Sequence, residues 1–160
     1  MNRKLIECVP NFSEGRDLNI IKQITNEIES VDGVKLLDVD PGSATNRTVV
    51  TFVGSPQAVI DAAYKAILKA SELIDMSKHK GEHARMGATD VCPLIPVANI
   101  SMEETSEWAI KLAQKVGENT EIPIYLYGEA QPNKERHILS VIRSGEYEGF
   151  FEKIKNPKWK

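Results

Sequence analysis

The chain has 160 residues, 41% hydrophobic and 27% charged, with a formal net charge of −3. That length and balance predict one globular domain over 1–160 with a substantial core. The basic residues are scattered, which argues against a nucleic-acid surface, and no apolar run approaches the roughly 18–20 residues that span a bilayer.

The opening stretch from Met1 to Glu7 has no long apolar run and no small-residue cleavage site, so no secretory leader is read there. Cys8 and Cys92 are the two cysteines, both in strand-like segments. They are expected as buried, reduced thiols in a cytoplasmic protein, with a disulfide or a nucleophile as the alternatives.

Leu5 to Val9 reads as a strand stopped by Pro10. A polar loop, Asn11 to Arg16, leads to Asp17, a plausible N-cap. Ile21, Ile24, Ile28 and Val31 then recur at spacings of 3, 4 and 3, the period of an amphipathic helix. Asp32-Gly33 ends it. Val34–Val39 and Thr48–Val53 are predicted strands joined through the turn chemistry of Asp40-Pro41-Gly42-Ser43, hence a hairpin.

Ser55-Pro56 opens a long helix whose apolar stripe runs from Val59 to Ile74, ending near Asp75 or Met76. Val91–Val97 is a strand, and Pro93 and Pro96 place it at an edge or in irregular pairing. Ser101 and Glu104 form a capping box for a helix with Trp108, Leu112 and Val116 inward and a stop at Gly117. Ile122–Tyr127 reads as a fifth strand, and His137 to Ile142 as a short helix stopping near Gly145. The order predicts an α+β fold: a ferredoxin-like β-α-β-β-α-β core, extended by a further helix and strand, with a mixed sheet and its helices on one face.

The stretch from Lys78 to Asp90 stands apart. It holds two of the three histidines, His79 and His83, with Gly81, Gly87 and several charged residues, and no apolar period. His-Lys-Gly-Glu-His fits the H-x-x-E-H zinc pattern. Ligands at that spacing ride on a helix, however, and Gly81 costs a helix about 1 kcal/mol. A third ligand is missing too, because His137 lies far along the chain, so no metal is expected. Neither Gly81 nor Gly87 belongs to a phosphate-loop pattern.

General acid–base chemistry fits better. Imidazole titrates near pH 6.5 and can take and return a proton near neutrality. Asp40, Glu82 and Asp90 are acids that could orient such a base, and Arg47 and Arg85 could hold carboxylates by forked hydrogen bonds. On residue types alone, His79 and His83 are equivalent, and either could be a plain loop residue.

Five stretches carry a family resemblance: Glu7 to Gly15; Leu37 to Asp40 with Thr45 to Val49; Ile74 to His83 with Arg85 to Ala88; Asp90 to Val97; and Tyr125 to Ala130. Together they resemble the N-terminal subdomain of glutamate formimidoyltransferase, the formiminotransferase half of formiminotransferase-cyclodeaminase. The resemblance runs from the first strand to about Trp159.

The resemblance implies a transferase that moves the formimino group of N-formimino-L-glutamate to N5 of tetrahydrofolate, within histidine breakdown and one-carbon metabolism. Tetrahydrofolate is then a co-substrate, and no metal is needed. The catalytic histidine falls on His83, with Asp40 as the carboxylate that orients or assists it. Arg47, Arg85, His79 and Asn11 become the substrate-binding candidates.

The family's transferase unit has two facing subdomains, and the match here is to the first. A C-terminal subdomain or a second copy is therefore expected over the open sheet face, with little transfer by this chain alone. The alternative is a non-catalytic ligand-binding or protein-interaction module of the same fold. A small metal-dependent hydrolase is a more distant one.

Overall fold

The computed structural model describes residues 2–159. The chain forms β1 (Leu5–Cys8), β2 (Asn11–Phe12), α1 (Leu18–Glu29), β3 (Val34–Gly42), β4 (Arg47–Gly54), α2 (Pro56–Leu73), β5 (Thr89–Val91), β6 (Leu94–Ala98), α3 (Met102–Asn119), α4 (Leu139–Arg143) and α5 (Glu146–Lys153). Pro10, which has no N–H to give a ladder, separates β1 from β2. The two run on as one bent line, both pairing with β4 on one side. Cys92 and Pro93 divide β5 from β6 in the same way, so the single strand expected over Val91–Val97 is two short ones.

The sheet order is β5-β2-β4-β1-β6, with β3 on the other side of β4. Every strand pair among the described residues is antiparallel, which corrects the mixed sheet expected. The reason is that β4 inserts between β1 and β3, the two strands joined by α1, and runs opposite to both. The α+β class stands, and Pro93 and Pro96 do lie at or beside an edge, since β6 pairs with β1 alone.

One face of the sheet is packed. Ile6, Cys8, Val50 and Phe52 point into a core shared with Ile24 and Ile28 of α1 and Val59, Ala62, Ala63 and Ala66 of α2. Fully burying a side chain such as Phe52 or Ile28 contributes roughly 1.5–3 kcal/mol. Small residues on α2 let it lie close to the sheet, and α3 adds Leu112 and Val116. Asp17 caps α1 through Oδ1, accepting from Asn19 N and Ile20 N. Ser101 Oγ accepts from Glu104 N to cap α3, whereas Ser55 makes no side-chain cap.

The opposite face is open. Register places Lys35, Val53, Glu7 and Ile95 in one row across it. Leu37, Ile95 and Val97 are 52%, 39% and 53% exposed, so apolar surface remains uncovered there.

Three further expectations change. Helix α2 ends at Leu73, short of Asp75, and α3 runs past Gly117 to Asn119. Ile122–Tyr127 forms no strand, among the described residues. Pro123 lacks a ladder donor. Ile122 instead packs against the helix-side core, and the Leu126 carbonyl accepts from Gln131 Nε2 at 2.7 Å. The aromatic tail, whose structure the sequence left open, forms α5, with Tyr147 and Phe151 edge to face at 5.4 Å.

Candidate functional site

The Lys78–Asp90 stretch contains no helix, but it is not loose. Lys78 N and His79 N donate to the carbonyls of Asp75 and Met76, and Glu82 N donates to Ala44 O. At its far end Ser13 Oγ and Ser13 N donate to the Gly87 and Ala88 carbonyls, both at 2.8 Å.

Asn46 is the hub of this arrangement. It is buried with φ +50°, a left-handed conformation that Asn tolerates better than most residues. Its Oδ1 accepts from Gly15 N at 2.9 Å, and its Nδ2 donates to Lys80 O at 3.0 Å. One side chain thus joins the first loop, the β3–β4 turn and the histidine stretch.

Glycines make the approach possible. A Cβ on Gly81 would stand 2.1 Å from Thr45 O, and one on Gly15 2.3 Å from Gly42 O.

The two histidines now differ. His79 is 7% exposed, and its Nε2 lies 2.7 Å from the Asn46 carbonyl, which can only accept. Its Nε2 therefore carries the proton, and the ring sits under the loop as a brace. His83 is exposed, at the rim of the open sheet face. Its Nδ1 lies 2.7 Å from Ala84 O and 2.8 Å from Arg47 Nη1.

Arg47 starts β4 on the open-face side. Its Nε donates to Asn11 Oδ1 at 2.8 Å and its Nη1 to Ala84 O at 3.3 Å. Register sets Asn11 and Asp40 on either side of Val49, so both belong to that face. At about 4.8 Å per strand step, their backbones are roughly 10 Å apart. The Asp40 side chain makes none of the hydrogen bonds or ion pairs described, and none links it to His83. The structure thus brings Asn11, Arg47 and His83 into contact and places Asp40 across the same floor.

Arg85 is turned elsewhere. Its guanidinium forks onto Glu148 of α5 at 2.8 and 3.2 Å and reaches His79 O at 3.0 Å. The Glu148 hydrogen bond raises the Arg85 pKa from its ordinary value, while the same bond lowers that of Glu148.

Asp90 is the carboxylate that meets Arg47. Its side chain is 0% exposed, with Oδ2 3.1 Å from Arg47 Nη1 and also in contact with Arg143 Nη2. Its Oδ1 accepts from Met86 N at 2.6 Å. Burial lowers the Arg47 pKa from its ordinary value, Asp90 opposes that, and Arg143 adds to it. A guanidinium stays charged throughout. Sequence reasoning had Asp90 only as one acid among three, and it had nothing for Arg143 or Asn46. Neither spacing nor residue type signals a partner 53 positions away.

The candidate site is thus a sheet-face floor of Asp40, Val49 and Asn11, with Arg47 and His83 at its edge. The chemistry it offers is proton transfer at an exposed imidazole and anion binding at a guanidinium. A cavity of about 590 Å³ lies on the other side, between α2, α3, β5 and the C-terminal segment, with Asp90 and Arg143 in its wall but neither His83 nor Arg47. Among the described residues, no group of three or more His, Cys, Asp or Glu is placed to hold a metal ion. His137 is remote, with Nε2 on Gln131 O. Cys8 and Cys92 are free thiols, their sulfurs 3.6 Å apart.

Comparison with known proteins matches residues 5–160 to the model of the formiminotransferase domain, N-terminal subdomain. The chain is 53% identical to the formimidoyltransferase-cyclodeaminase of Gallus gallus over 156 residues, 98% of this chain and 29% of that protein. It is 47% identical to the glutamate formimidoyltransferase of Thermoplasma acidophilum and 42% to that of Streptococcus pyogenes, covering 98% of this chain and 52% of each. The chain therefore spans about a third or half the length of these curated relatives. It belongs to the family of the formiminotransferase domain, N-terminal subdomain.

Proposed function

We propose that this chain is the base-bearing half of a glutamate formimidoyltransferase, acting with a second subdomain laid over its open sheet face. The reaction moves the formimino group of N-formimino-L-glutamate to N5 of tetrahydrofolate. The observation that carries this reading is His83, exposed at the rim of an uncovered face, with Nδ1 engaged and Nε2 in none of the hydrogen bonds described.

As N5 attacks the formimino carbon it must lose a proton, and an imidazole nitrogen with a free lone pair accepts it. The tetrahedral intermediate then expels glutamate, whose leaving nitrogen takes that proton back. Arg47, already aimed at the floor and braced by Asn11, is the carboxylate-binding group on this half. Asp40, without a partner, faces the cationic or amide parts of the substrates. Arg85 binds a substrate carboxylate only if Glu148 gives way, and His79 contributes by holding the loop. Two unlinked thiols and a folate-dependent reaction suit a cytoplasmic setting.

The test is binding of tetrahydrofolate and formiminoglutamate, followed by transfer assays of the wild type and His83→Ala, each with and without a second subdomain from a relative. Transfer is expected only for wild type with the second subdomain, with a loss of roughly 10²-fold or more in His83→Ala. Equal transfer in both proteins removes His83 as the base. Ligand binding without any transfer favours a non-catalytic binding module instead.

A further inference from the structure

Nδ1 of His83 lies between two partners with opposite demands. The Ala84 carbonyl, at 2.7 Å, accepts only, so it requires Nδ1–H. The Arg47 guanidinium, at 2.8 Å, donates only, so it requires a lone pair on Nδ1. A neutral imidazole satisfies one or the other, and the choice fixes what Nε2 presents. With Nδ1–H, Nε2 is a base. With Arg47 donating to Nδ1, Nε2 carries the proton and the base is lost.

What Arg47 does depends on its other contacts. Asp90 Oδ2 is 3.1 Å from the same Nη1 that abuts His83, and this carboxylate is fully buried. Its position is fixed from two more directions, by Arg143 and by the Met86 N–H. With Asp90 charged, Arg47 is attracted to a full negative charge in a low-dielectric setting. Without it, two guanidiniums would face each other across a buried neutral side chain. Its Nη1, already 2.8 Å from Nδ1 of His83, would then give its N–H to that lone pair alone.

The geometry points to Asp90 as a positioning residue for His83: by holding Arg47, it keeps the proton of His83 on Nδ1 and leaves the lone pair on Nε2. Arg143 shares the task by anchoring the carboxylate. The catalytic meaning of this rests on the transferase reading above; the tautomer does not.

The test is nitrogen-15 NMR of the histidine rings at alkaline pH, where the imidazole is neutral, with His83 assigned by loss of its signals in His83→Gln. Wild type is expected to show a protonated Nδ1 and an unprotonated Nε2. Asp90→Asn should reverse the two. Asp90→Glu, which keeps the charge, should restore the wild-type pattern, and so should Asp90→Asn combined with Arg47→Met, which removes the competing donor.

Should Asp90→Asn not fold, its combination with Arg143→Met removes the stranded cation and carries the same expected reversal. A wild-type His83 protonated on Nε2, or a pattern indifferent to Asp90, overturns the inference. In assays with a second subdomain, Asp90→Asn should lower kcat roughly 10²-fold and Asp90→Glu should recover it. If the wild type transfers nothing while the tautomer reverses as expected, the transferase reading fails and the positioning role stands.

Discussion

His79 Nε2 donates to the main-chain carbonyl of Asn46 across 2.7 Å, beneath a stretch whose second histidine, His83, is exposed. A buried donor-acceptor pair of this kind is costly to break, because the carbonyl is left unpaired. His79→Ala is expected to lower unfolding stability by about 1–3 kcal/mol. The exposed His83→Ala should stay within about 0.5 kcal/mol of wild type. Urea denaturation of both variants checks this, and equal losses would mean that the two rings do not divide the work as described.

Gly81 lies where a Cβ would stand 2.1 Å from Thr45 O, so Gly81→Ala must push the loop off the β3–β4 turn. A loss of about 1–3 kcal/mol is expected, the usual range for overpacking a filled site. Amide exchange should speed up at Glu82, whose N–H bonds Ala44 O. A variant as stable as wild type with unchanged exchange at Glu82 would contradict the close approach.

Arg85 ties the histidine stretch to the tail through Glu148, and Tyr147 N donates to the Arg85 carbonyl at 3.0 Å. Arg85→Ala should therefore loosen α5, seen as faster amide exchange over Glu146–Lys153. Global stability should fall by about 1 kcal/mol, as expected for an ion pair whose Glu148 end is exposed. Weaker glutamate-substrate binding with α5 still protected would show that Arg85 acts as a substrate clamp after all.

Two acids, the buried Cys8 thiol and the half-buried Tyr127 phenol, set the alkaline behaviour. Burial, then the nearby Cys92 and Cys8, push the Tyr127 phenol up to about 12. Burial and the Cys92 contact likewise push the Cys8 thiol well up. Each group loses its proton more readily in the unfolded chain, so the unfolded state binds fewer protons as the pH rises. Stability should fall above the ordinary thiol value of about 8.5 for Cys8 and between about 10 and the raised value for Tyr127. Cys8→Ser and Tyr127→Phe should each flatten the curve measured by urea melts across that range. Thiol reagents should modify Cys92 well before the fully buried Cys8. A reversed order of labelling would mean the β1 face is open.

Much of the fold could be read from the chain because its signals are local. The isoleucine period of α1, Pro56 at the start of α2 and the Ser101 cap need only neighbours within a turn or two. The hairpin of β3 and β4 needs only a turn between β-branched runs. Ile122–Tyr127 misled because a short apolar run looks the same whether it pairs with a sheet or packs on a helix. Pro123 inside the run, which lacks a ladder donor, and Gln131, which bonds the Leu126 carbonyl, decide the matter.

The sequence by itself determined the α+β order, the family and the stretch that holds the two candidate histidines, since these rest on periodicity, turn chemistry and motif runs. Only the tertiary structure decided which histidine is buried and which is free, and which acid meets Arg47. Asp90 lies 43 residues from Arg47 and 53 from Arg143, yet packing brings all three together in a site where an unpaired charge would be too costly to bury. Such a choice is made by burial and distance, which no spacing along the chain encodes.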